Sequence, residues 1–230
     1  MNLFYADPAD VHLPVLTLRN QEAKHVTKVM RYREGDELFA TDGKGTLYKT
    51  EIIYTGRDLV ELRVTESTFE EPEEPWVTIC IGLLKKRDRL EFAVEKTVEL
   101  GVNEIIIFKG DHSQKENIRL DRLEAAVLSA MKQSLRLYLP EVSLRGSLEE
   151  SIGTETGHNI SVVVADETTE NSRMNNRLKE KIILVVGPEG GFSEEERILF
   201  KNLKPQFYSL GSKRLRTETA AIVMADHFRR

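Results

Sequence analysis

The stretch that decides the fold is an apolar run that leads into a glycine-rich loop. It reads Ile182-Ile183-Leu184-Val185-Val186-Gly187-Pro188-Glu189-Gly190-Gly191-Phe192-Ser193. A continuous apolar run of this kind is typical of a strand that is buried on both faces of a parallel sheet. Ser193 and Glu196 have the spacing of a capping box, which predicts that a helix begins at Ser193. A strand, a loop and a helix in this order indicate an α/β architecture.

The same plan is repeated further along the chain. Residues 207–210 predict a strand, residues 211–216 form a second loop that begins with glycine, and Thr217 is expected to cap a final helix. Ligands of open α/β sheets bind at the carboxyl ends of strands, and glycines let backbone groups approach a flat ligand. The two loops therefore predict a ligand site, with a pair of ordinary tight turns as the alternative.

The remainder of this half of the chain alternates between strands and helices. Apolar runs predict strands at residues 76–84, 105–108 and 160–165. A capping box of Asp88 and Glu91 predicts a helix that Gly101 ends. A second, longer helix ending before Pro140 is predicted from the apolar spacing of Leu120, Leu123, Val127, Met131 and Tyr138. The pattern favours a parallel sheet covered by helices on both faces.

The first part of the chain has a different pattern. Short β-rich runs at residues 37–41, 47–54 and 59–64 are separated by turns and predict a small barrel. One helix is expected at residues 22–30, with Ala23, Val26, Val29 and Met30 on one face. Residues 70–75 then read Glu-Glu-Pro-Glu-Glu-Pro, and the prolines and like charges disfavour both helix and strand. We therefore predict a domain at residues 1–70, a linker at 71–75 and a domain at 76–230.

Composition limits the classes of function. The 230 residues are 40% hydrophobic and 31% charged, which is globular, and no apolar run reaches the roughly 20 residues of a membrane span. The N-terminus lacks the pattern of a signal peptide. The one cysteine, Cys80, is expected to be a buried thiol, and the five histidines are scattered. We therefore expect a cytoplasmic protein without a metal or a membrane partner.

Net charge alone disfavours a nucleic-acid partner, because it is −5. The basic residues are nevertheless clustered, and a local patch can bind phosphate on an acidic protein. The clusters are Lys24/Lys28/Arg31/Arg33, Lys85/Lys86/Arg87/Arg89 and Lys213/Arg214/Arg216. Solvated surface side chains are the alternative interpretation of each cluster.

The chemistry of the first loop restricts its ligand. Pro188 and Glu189 occupy the turn, so the loop is neither the dinucleotide fingerprint nor the phosphate loop of nucleotide triphosphatases. Glu189 and the acidic residues 194–196 would repel a pyrophosphate. A ligand with an adenine, a ribose and a cationic centre suits the loop better, and a nicotinamide dehydrogenase is disfavoured.

The two glycine-bearing loops, with the residues that flank them, resemble a known family. Residues 186–193, and Leu210-Gly211 followed by Leu215-Arg216-Thr217-Glu218-Thr219-Ala220, resemble the two signatures of the RsmE family in the SPOUT superfamily. The likeness extends to segments around Lys24-His25, Glu95-Lys96 and Gln133-Ser134, and so covers nearly the whole chain. One departure is Asp111-His112-Ser113, where the family pattern has Glu-Arg-Ser.

The resemblance implies a fold and an activity. The fold would be a PUA-like β-barrel followed by an α/β domain with a trefoil knot, in a homodimer. The activity would be S-adenosylmethionine-dependent methylation of N3 of a uridine in the decoding region of 16S ribosomal RNA, as naked RNA or in the small subunit. A ribose 2′-O-methyltransferase of the same superfamily and a non-catalytic ribosome-assembly protein are the alternatives.

The resemblance also gives site residues. Cofactor binding is expected at Val186, Gly187, Glu189, Gly190, Gly191, Leu210, Gly211, Leu215 and Arg216. Arg216 is expected to stabilise the charge that forms on the uracil carbonyl oxygens, with Arg136 as second choice, and Glu218 could accept the N3 proton. A carboxylate in a first helical turn also stabilises the helix dipole without any further role. RNA contacts are expected at Lys24, Lys28, Arg31, Arg33, Arg136 and Arg214.

Overall fold

The computed structural model describes residues 2–113, 118–153, 159–167 and 179–229. They group into two compact units, Met1–Pro72 with Met131–Leu139, and Glu73–Ala130 with Pro140–Arg230. The division after Pro72 falls inside the predicted linker. The sequence predicts residues 131–139 in the second domain, but their contacts put them in the first unit. Gly45 N donates to Leu137 O at 3.0 Å, and Leu139 N donates to Gly43 O at 2.9 Å.

The first unit is built on one six-stranded sheet. Its strands are β1 (Leu3–Tyr5), β2 (Val11–His12), β3 (Val15–Arg19), β4 (Glu37–Thr41), β5 (Thr46–Thr55) and β6 (Leu59–Phe69). Their order is β1-β4-β5-β6-β3-β2, and only the β1–β4 pair is parallel. The three predicted strands are confirmed, and β6 is five residues longer than predicted because residues 66–69 continue to pair with β5.

One helical insertion closes the core of the first unit, as predicted. Helix α1 (Asn20–Lys24) continues into a π-helical turn, His25–Val29. Ala23 and Val26 are buried with Phe4, Leu16 and other strand residues. Val29 was predicted on the same face but is 68% exposed, because the π-helical turn changes the angular spacing of its residues.

The second unit contains a fully parallel six-stranded sheet, as predicted. Its strands are β7 (Trp76–Gly82), β8 (Glu104–Phe108), β9 (Glu141–Arg145), β10 (Ile160–Ala165), β11 (Lys181–Val186) and β12 (Gln206–Tyr208), in the order β12-β10-β11-β7-β8-β9. Val77, Ile79, Cys80 and Ile81 of the internal strand β7 are fully buried, which explains its continuous apolar sequence. Burial also raises the pKa of the Cys80 thiol, so it is the predicted inert cysteine.

Helices of the second half of the chain connect these strands. They are α2 (Arg87–Glu99), α3 (Leu120–Gln133), α4 (Leu148–Ile152), α5 (Glu194–Leu203) and α6 (Thr217–Arg229). The capping box at Ser193 and Glu196 is confirmed, and Gly101 ends α2 with φ +97°. The predicted box at Asp88 is wrong, because the N-cap of the helix is Lys86, two residues earlier, and Lys86 makes no side-chain cap bond.

The end of α3 was also predicted wrongly. The helix stops at Gln133, and Leu135 adopts φ +60°, so the chain turns before it reaches Pro140. Tyr138 therefore does not lie on the helix face. Its hydroxyl instead donates to Glu70 O at 2.8 Å within the first unit.

Candidate active site

The carboxyl ends of β10, β11 and β12 form a cavity of about 450 Å³. Most of its lining comes from three segments, residues 165–167, the loop 186–192 and the loop 210–217, and Arg197 and Ala220 complete it. The structure thus brings the two predicted loops together. They are not neighbours in the sheet, however, because β10 lies between β11 and β12. Sequence reasoning missed the segment 165–167, whose signal was a predicted strand that ends at Ala165 and is followed by Asp166 and Glu167.

Apolar side chains and glycine backbone form part of the cavity wall. Val186, Leu210 and Leu215 line it. Gly191 and Gly211 have φ +72° and +111°, and a Cβ built on either would meet nothing within 4 Å. Both glycines are therefore required by backbone conformation, and they leave their peptide groups accessible from the cavity.

Most of the predicted cofactor residues line this cavity. Those that do are Val186, Gly187, Glu189, Gly191, Leu210, Gly211, Leu215 and Arg216. Gly190 is not among the lining residues. Its carbonyl oxygen lies 3.1 Å from His112 Nδ1, and a Cβ built on it would lie 2.7 Å from His112 Cβ. This residue is a glycine because another segment approaches it closely.

The loop 186–192 is packed against strand β7 and helix α6. A Cβ built on Gly82, the last residue of β7, would lie 2.3 Å from Pro188 N. Thr217 Oγ1 donates to Gly187 O at 3.1 Å, and Gly191 N donates to Pro188 O at 2.9 Å. The predicted capping residue Thr217 therefore fixes the loop with its hydroxyl, and its own helix begins at this residue.

Glu189 holds the loop to the start of α2. Its Oε2 accepts from Lys85 N at 3.1 Å, and its Oε1 lies 3.6 Å from Arg89 Nη1. Because it also lines the cavity, its carboxylate both orders the loop and adds negative charge to the site.

Glu218 follows Thr217, a residue of the cavity lining, in the chain. Its side chain is 10% exposed, and its Oε1 lies 3.4 Å from Arg89 Nε. Among the described residues its Oε2 has no hydrogen-bond partner. It does not line the cavity, so the structure places this carboxylate in the first turn of α6 as a partner of Arg89. Arg89, which pairs with Glu189 and Glu218, was named from the sequence only as a member of a basic cluster, without this role.

Both signs of charge line the cavity. Acidic side chains come from Asp166, Glu167 and Glu189, and basic ones from Arg197, Lys213, Arg214 and Arg216. Arg214 pairs with Glu167 at 3.4 Å, and both side chains are mostly exposed. Arg216 is exposed, and its O accepts from Ala220 N at 2.8 Å. Within the described ranges, its guanidinium makes no hydrogen bond or ion pair.

The other predicted RNA-binding residues belong to the first unit. These are Lys24, Lys28, Arg31, Arg33 and Arg136. Lys24 pairs with Asp58 at 3.1 Å, and Arg33 N donates to Asp36 Oδ2 at 2.7 Å. Arg31 has φ +59° at the end of the helical insertion. The predicted RNA-binding set is therefore divided, since Arg214 lies in the second unit.

No group of three or more His, Cys, Asp or Glu residues that could hold a metal ion occurs in the described parts of the chain. His158, one of the scattered histidines, lies outside those parts. None of the described helices is long and apolar enough to cross a membrane.

Comparison with known proteins gives two family matches. A model of an RNA methyltransferase domain matches residues 71–228. A model of an RNA methyltransferase PUA domain matches residues 18–65. The first match contains every residue that lines the cavity.

Relatives and solved structures agree with these matches. Ribosomal RNA small subunit methyltransferase E of Bacillus subtilis is 27% identical, over 91% of this chain and 87% of that protein. A probable rRNA-methyltransferase from Porphyromonas gingivalis is 30% identical with a TM-score of 0.86, covering 99% of this chain and 97% of its own. Ribosomal RNA small subunit methyltransferase E from Neisseria gonorrhoeae, solved bound to S-adenosyl methionine, is 25% identical with a TM-score of 0.86, over 100% and 97%.

Proposed function

The chain belongs to the RNA methyltransferase family, and from this we propose that it is an S-adenosylmethionine-dependent methyltransferase of 16S ribosomal RNA. We further propose that the methyl group goes to N3 of a uridine in the decoding region of the small subunit. The observation that carries the proposal is the cavity at the ends of β10, β11 and β12, whose lining suits this cofactor.

The cavity suits an adenosyl sulfonium in size and in chemistry. Its volume of about 450 Å³ lies in the range of small-molecule sites, roughly 300–1,000 Å³. Apolar side chains can pack against the face of an adenine ring, and the backbone groups beside the glycines can form hydrogen bonds with its edge. Glu167 and Glu189 favour a cationic sulfur, and the basic side chains favour a carboxylate. Backbone groups near Gly187, Leu210 and Leu215 would hold the cofactor.

Arg216 is the proposed catalytic residue. S-adenosylmethionine supplies an electrophilic methyl group when it is bound. Uracil N3 is flanked by two carbonyl groups, so loss of its proton spreads negative charge onto their oxygens. The guanidinium of Arg216 is exposed at the cavity and has no competing partner among the described residues, so it is available to stabilise that charge. Arg136 belongs to the first unit, and the cavity geometry favours Arg216 over it.

The structure gives less support to Glu218 as the proton acceptor. Its carboxylate pairs with Arg89 and lies outside the cavity lining, so a bracing role explains its burial. We therefore propose Glu218 as a residue that fixes the start of α6 and, through it, Arg216. The N3 proton would then leave through another group or through solvent.

RNA binding is proposed at both units. Uridine must be reached unpaired or flipped, at a cost of a few kcal/mol. Phosphate contacts would come from Lys24, Lys28, Arg31, Arg33, Arg136 and Arg214. The homodimer, the trefoil knot, the cytoplasmic location and the absence of a metal requirement are further proposals, and they rest on the family resemblance and on sequence composition.

The proposal is tested by nucleoside analysis of methylated RNA. Purified protein is incubated with S-adenosylmethionine and either 16S RNA or small subunits, and the RNA is digested to nucleosides and weighed. We expect a methyl group on the uracil base. A methyl group on ribose would show the 2′-O activity instead, and no binding at about millimolar cofactor would favour an assembly protein.

Gly187→Val provides the matched negative control. A Cβ on Gly187 would already lie 3.1–3.3 Å from the Phe192 ring, and valine adds two methyl groups. We expect this variant to lose cofactor binding in calorimetry. Unchanged affinity would refute the placement of the cofactor site.

A further inference from the structure

The short segment 110–113 follows β8 and contacts the loop 187–193, which we call the cofactor loop. The segment itself does not line the cavity. It contains Asp111-His112-Ser113, which departs from the family pattern and which the proposed chemistry does not use. We propose that Asp111 and His112 are positioning residues that hold the loop 187–193 in the shape that binds S-adenosylmethionine. This inference rests on the proposed function.

The first contact is at the middle of the loop. His112 Nδ1 lies 3.1 Å from Gly190 O, and because a carbonyl oxygen can only accept, the ring nitrogen is the donor. A Cβ built on Gly190 would lie 2.7 Å from His112 Cβ and 3.2 Å from His112 O. The two segments therefore touch so closely that Gly190 has no room for a side chain.

The second contact is at the end of the loop, where α5 begins. Ser193 and Glu196 form a capping box, with Ser193 N donating to Glu196 Oε2 at 2.8 Å and Glu196 N donating to Ser193 Oγ at 3.1 Å. Asp111 makes one further hydrogen bond with the side chain of each residue. Ser193 Oγ donates to Asp111 Oδ2 at 2.5 Å, and Asp111 N donates to Glu196 Oε1 at 3.3 Å.

The burial of this pair makes the Asp111 contacts necessary. Ser193 is 5% exposed and Glu196 is 7% exposed, so their polar atoms depend on protein partners. Asp111 supplies one partner to each. The capping box and Asp111 together fix the point where the cofactor loop becomes helix.

The segment is itself a closed turn. Gly110 N donates to Ser113 Oγ at 3.0 Å, and Ser113 N donates to Gly110 O at 2.9 Å. A Cβ built on Gly110 would lie 3.2 Å from Pro188 Cγ and 3.1 Å from Glu196 Oε1. The turn therefore packs against both ends of the cofactor loop.

These contacts predict an effect on affinity. A loop that is already ordered loses less conformational freedom when a ligand binds. Asp111 and His112 do not line the cavity, so they reach the cofactor only through the loop. Their loss should raise the Kd and KM for the cofactor and leave kcat at saturation unchanged.

The first experiment compares His112→Ala with His112→Asn in the full-length protein. Asparagine carries a donor nitrogen at the position of Nδ1, so it can keep the bond to Gly190 O. We expect His112→Ala to raise the Kd for S-adenosylmethionine about two- to ten-fold, the loss given by one ordinary hydrogen bond. Without ligand, the amides of residues 187–193 should exchange hydrogen faster. His112→Asn should restore most of both properties.

The second experiment applies the same comparison to Asp111. Asp111→Asn keeps an acceptor for the Ser193 hydroxyl, whereas Asp111→Ala removes it. We expect a rise in Kd of about two- to ten-fold for the alanine variant and a smaller one for asparagine. Asp121→Ala is the control, because Asp121 pairs with Arg119 and not with the loop.

The outcomes separate the inference from the function on which it rests. Unchanged affinity and exchange in both alanine variants would overturn it. Equal losses in His112→Ala and His112→Asn, or faster exchange spread evenly over β7 and β11, would also overturn it. If the wild-type protein binds no S-adenosylmethionine, the proposed function fails, and the exchange comparison still decides whether the turn orders the loop.

Discussion

The two loops of the candidate site follow the same sequence plan but differ in how they are held. The loop 187–192 is in contact with β7, α2, α6 and the turn 110–113. The loop 211–216 carries four consecutive exposed residues at its start, and a Cβ on Gly211 would meet nothing within 4 Å. Among the described residues, the side-chain ion pair of this loop joins Arg214 to Glu167 on the surface.

The difference indicates that the two loops of the cavity have different roles. A braced loop offers a fixed binding surface, which reduces the ordering that a ligand must impose. An open loop leaves its charged side chains available to a second substrate. We therefore expect the loop 187–192 to determine cofactor affinity, and the loop 211–216 to determine methyl transfer and RNA contact.

The largest expected effect comes from Arg216 on the open loop. Arg216→Ala should lower kcat by about a hundredfold or more, roughly 3–4 kcal/mol in the barrier, because it removes a donor to the developing oxyanion. Cofactor affinity in calorimetry should stay close to that of the wild type. Single-turnover methyl transfer at saturating cofactor measures the chemical step.

Arg216→Lys sharpens this prediction. It keeps the positive charge but loses the planar fork of the guanidinium, so partial activity is expected. Equal loss of cofactor binding and of transfer in Arg216→Ala would contradict the division between the loops and would assign Arg216 to the cofactor.

The next largest effect is expected on stability, from substituting one glycine at each loop. Gly82 packs against the loop 187–192, and Gly211 begins the loop 211–216. Gly82→Ala should lower the free energy of unfolding by at least about 3 kcal/mol, because its Cβ would lie 2.3 Å from Pro188 N. Gly211→Ala should lower it by only about 1 kcal/mol, since the strain of φ +111° acts without any clash. Urea unfolding measures both. Equal losses would show that the two loops are held alike.

The predictable part of the fold is the part with local signals. The internal strands β7, β8, β10 and β11 were found because they are buried on both faces and so are continuously apolar. Strand β9 was missed, because Glu-Val-Ser-Leu-Arg at residues 141–145 lies at the sheet edge and lacks such a run. The capping box at Asp88 failed because a matching spacing does not fix which residue begins a helix.

The predictable part of the site is likewise local. Each glycine loop lies between a strand and a helix that are contiguous in sequence, so both loops were found. The segment 165–167 and the role of Arg89 depend on strand order and on helix packing, which no short motif encodes. His112 lies 78 residues from Gly190 in the chain, and their contact exists only because β8 and β11 lie in one sheet.

A smaller effect on stability is expected from the ion pair between Arg89 of α2 and Glu218 of α6. Arg89→Ala leaves the buried carboxylate of Glu218 without its cation, which should lower the free energy of unfolding by about 1–2 kcal/mol. The loss is less than for a fully buried pair, since the Arg89 side chain is 27% exposed. A double-mutant cycle with Glu218→Gln isolates the pair. A coupling energy below about 0.3 kcal/mol would remove this contact from the bracing of the site.

The smallest effect on stability is expected from Arg214 on the open loop. Its pair with Glu167 is exposed, so Arg214→Ala should change the free energy of unfolding by less than about 0.5 kcal/mol. If Arg214 binds a phosphate, the variant should bind RNA more weakly, and the slope of log K against log salt should fall by about one.

Arg119→Ala is the comparison for this measurement, because Arg119 is exposed and already pairs with Asp121. An unchanged slope in Arg214→Ala would mean that the openness of the loop 211–216 does not serve RNA binding through this side chain. The loop 211–216 would then act in methyl transfer through Arg216 without contributing an RNA contact through Arg214, and the difference between the two loops would be limited to cofactor affinity and methyl transfer.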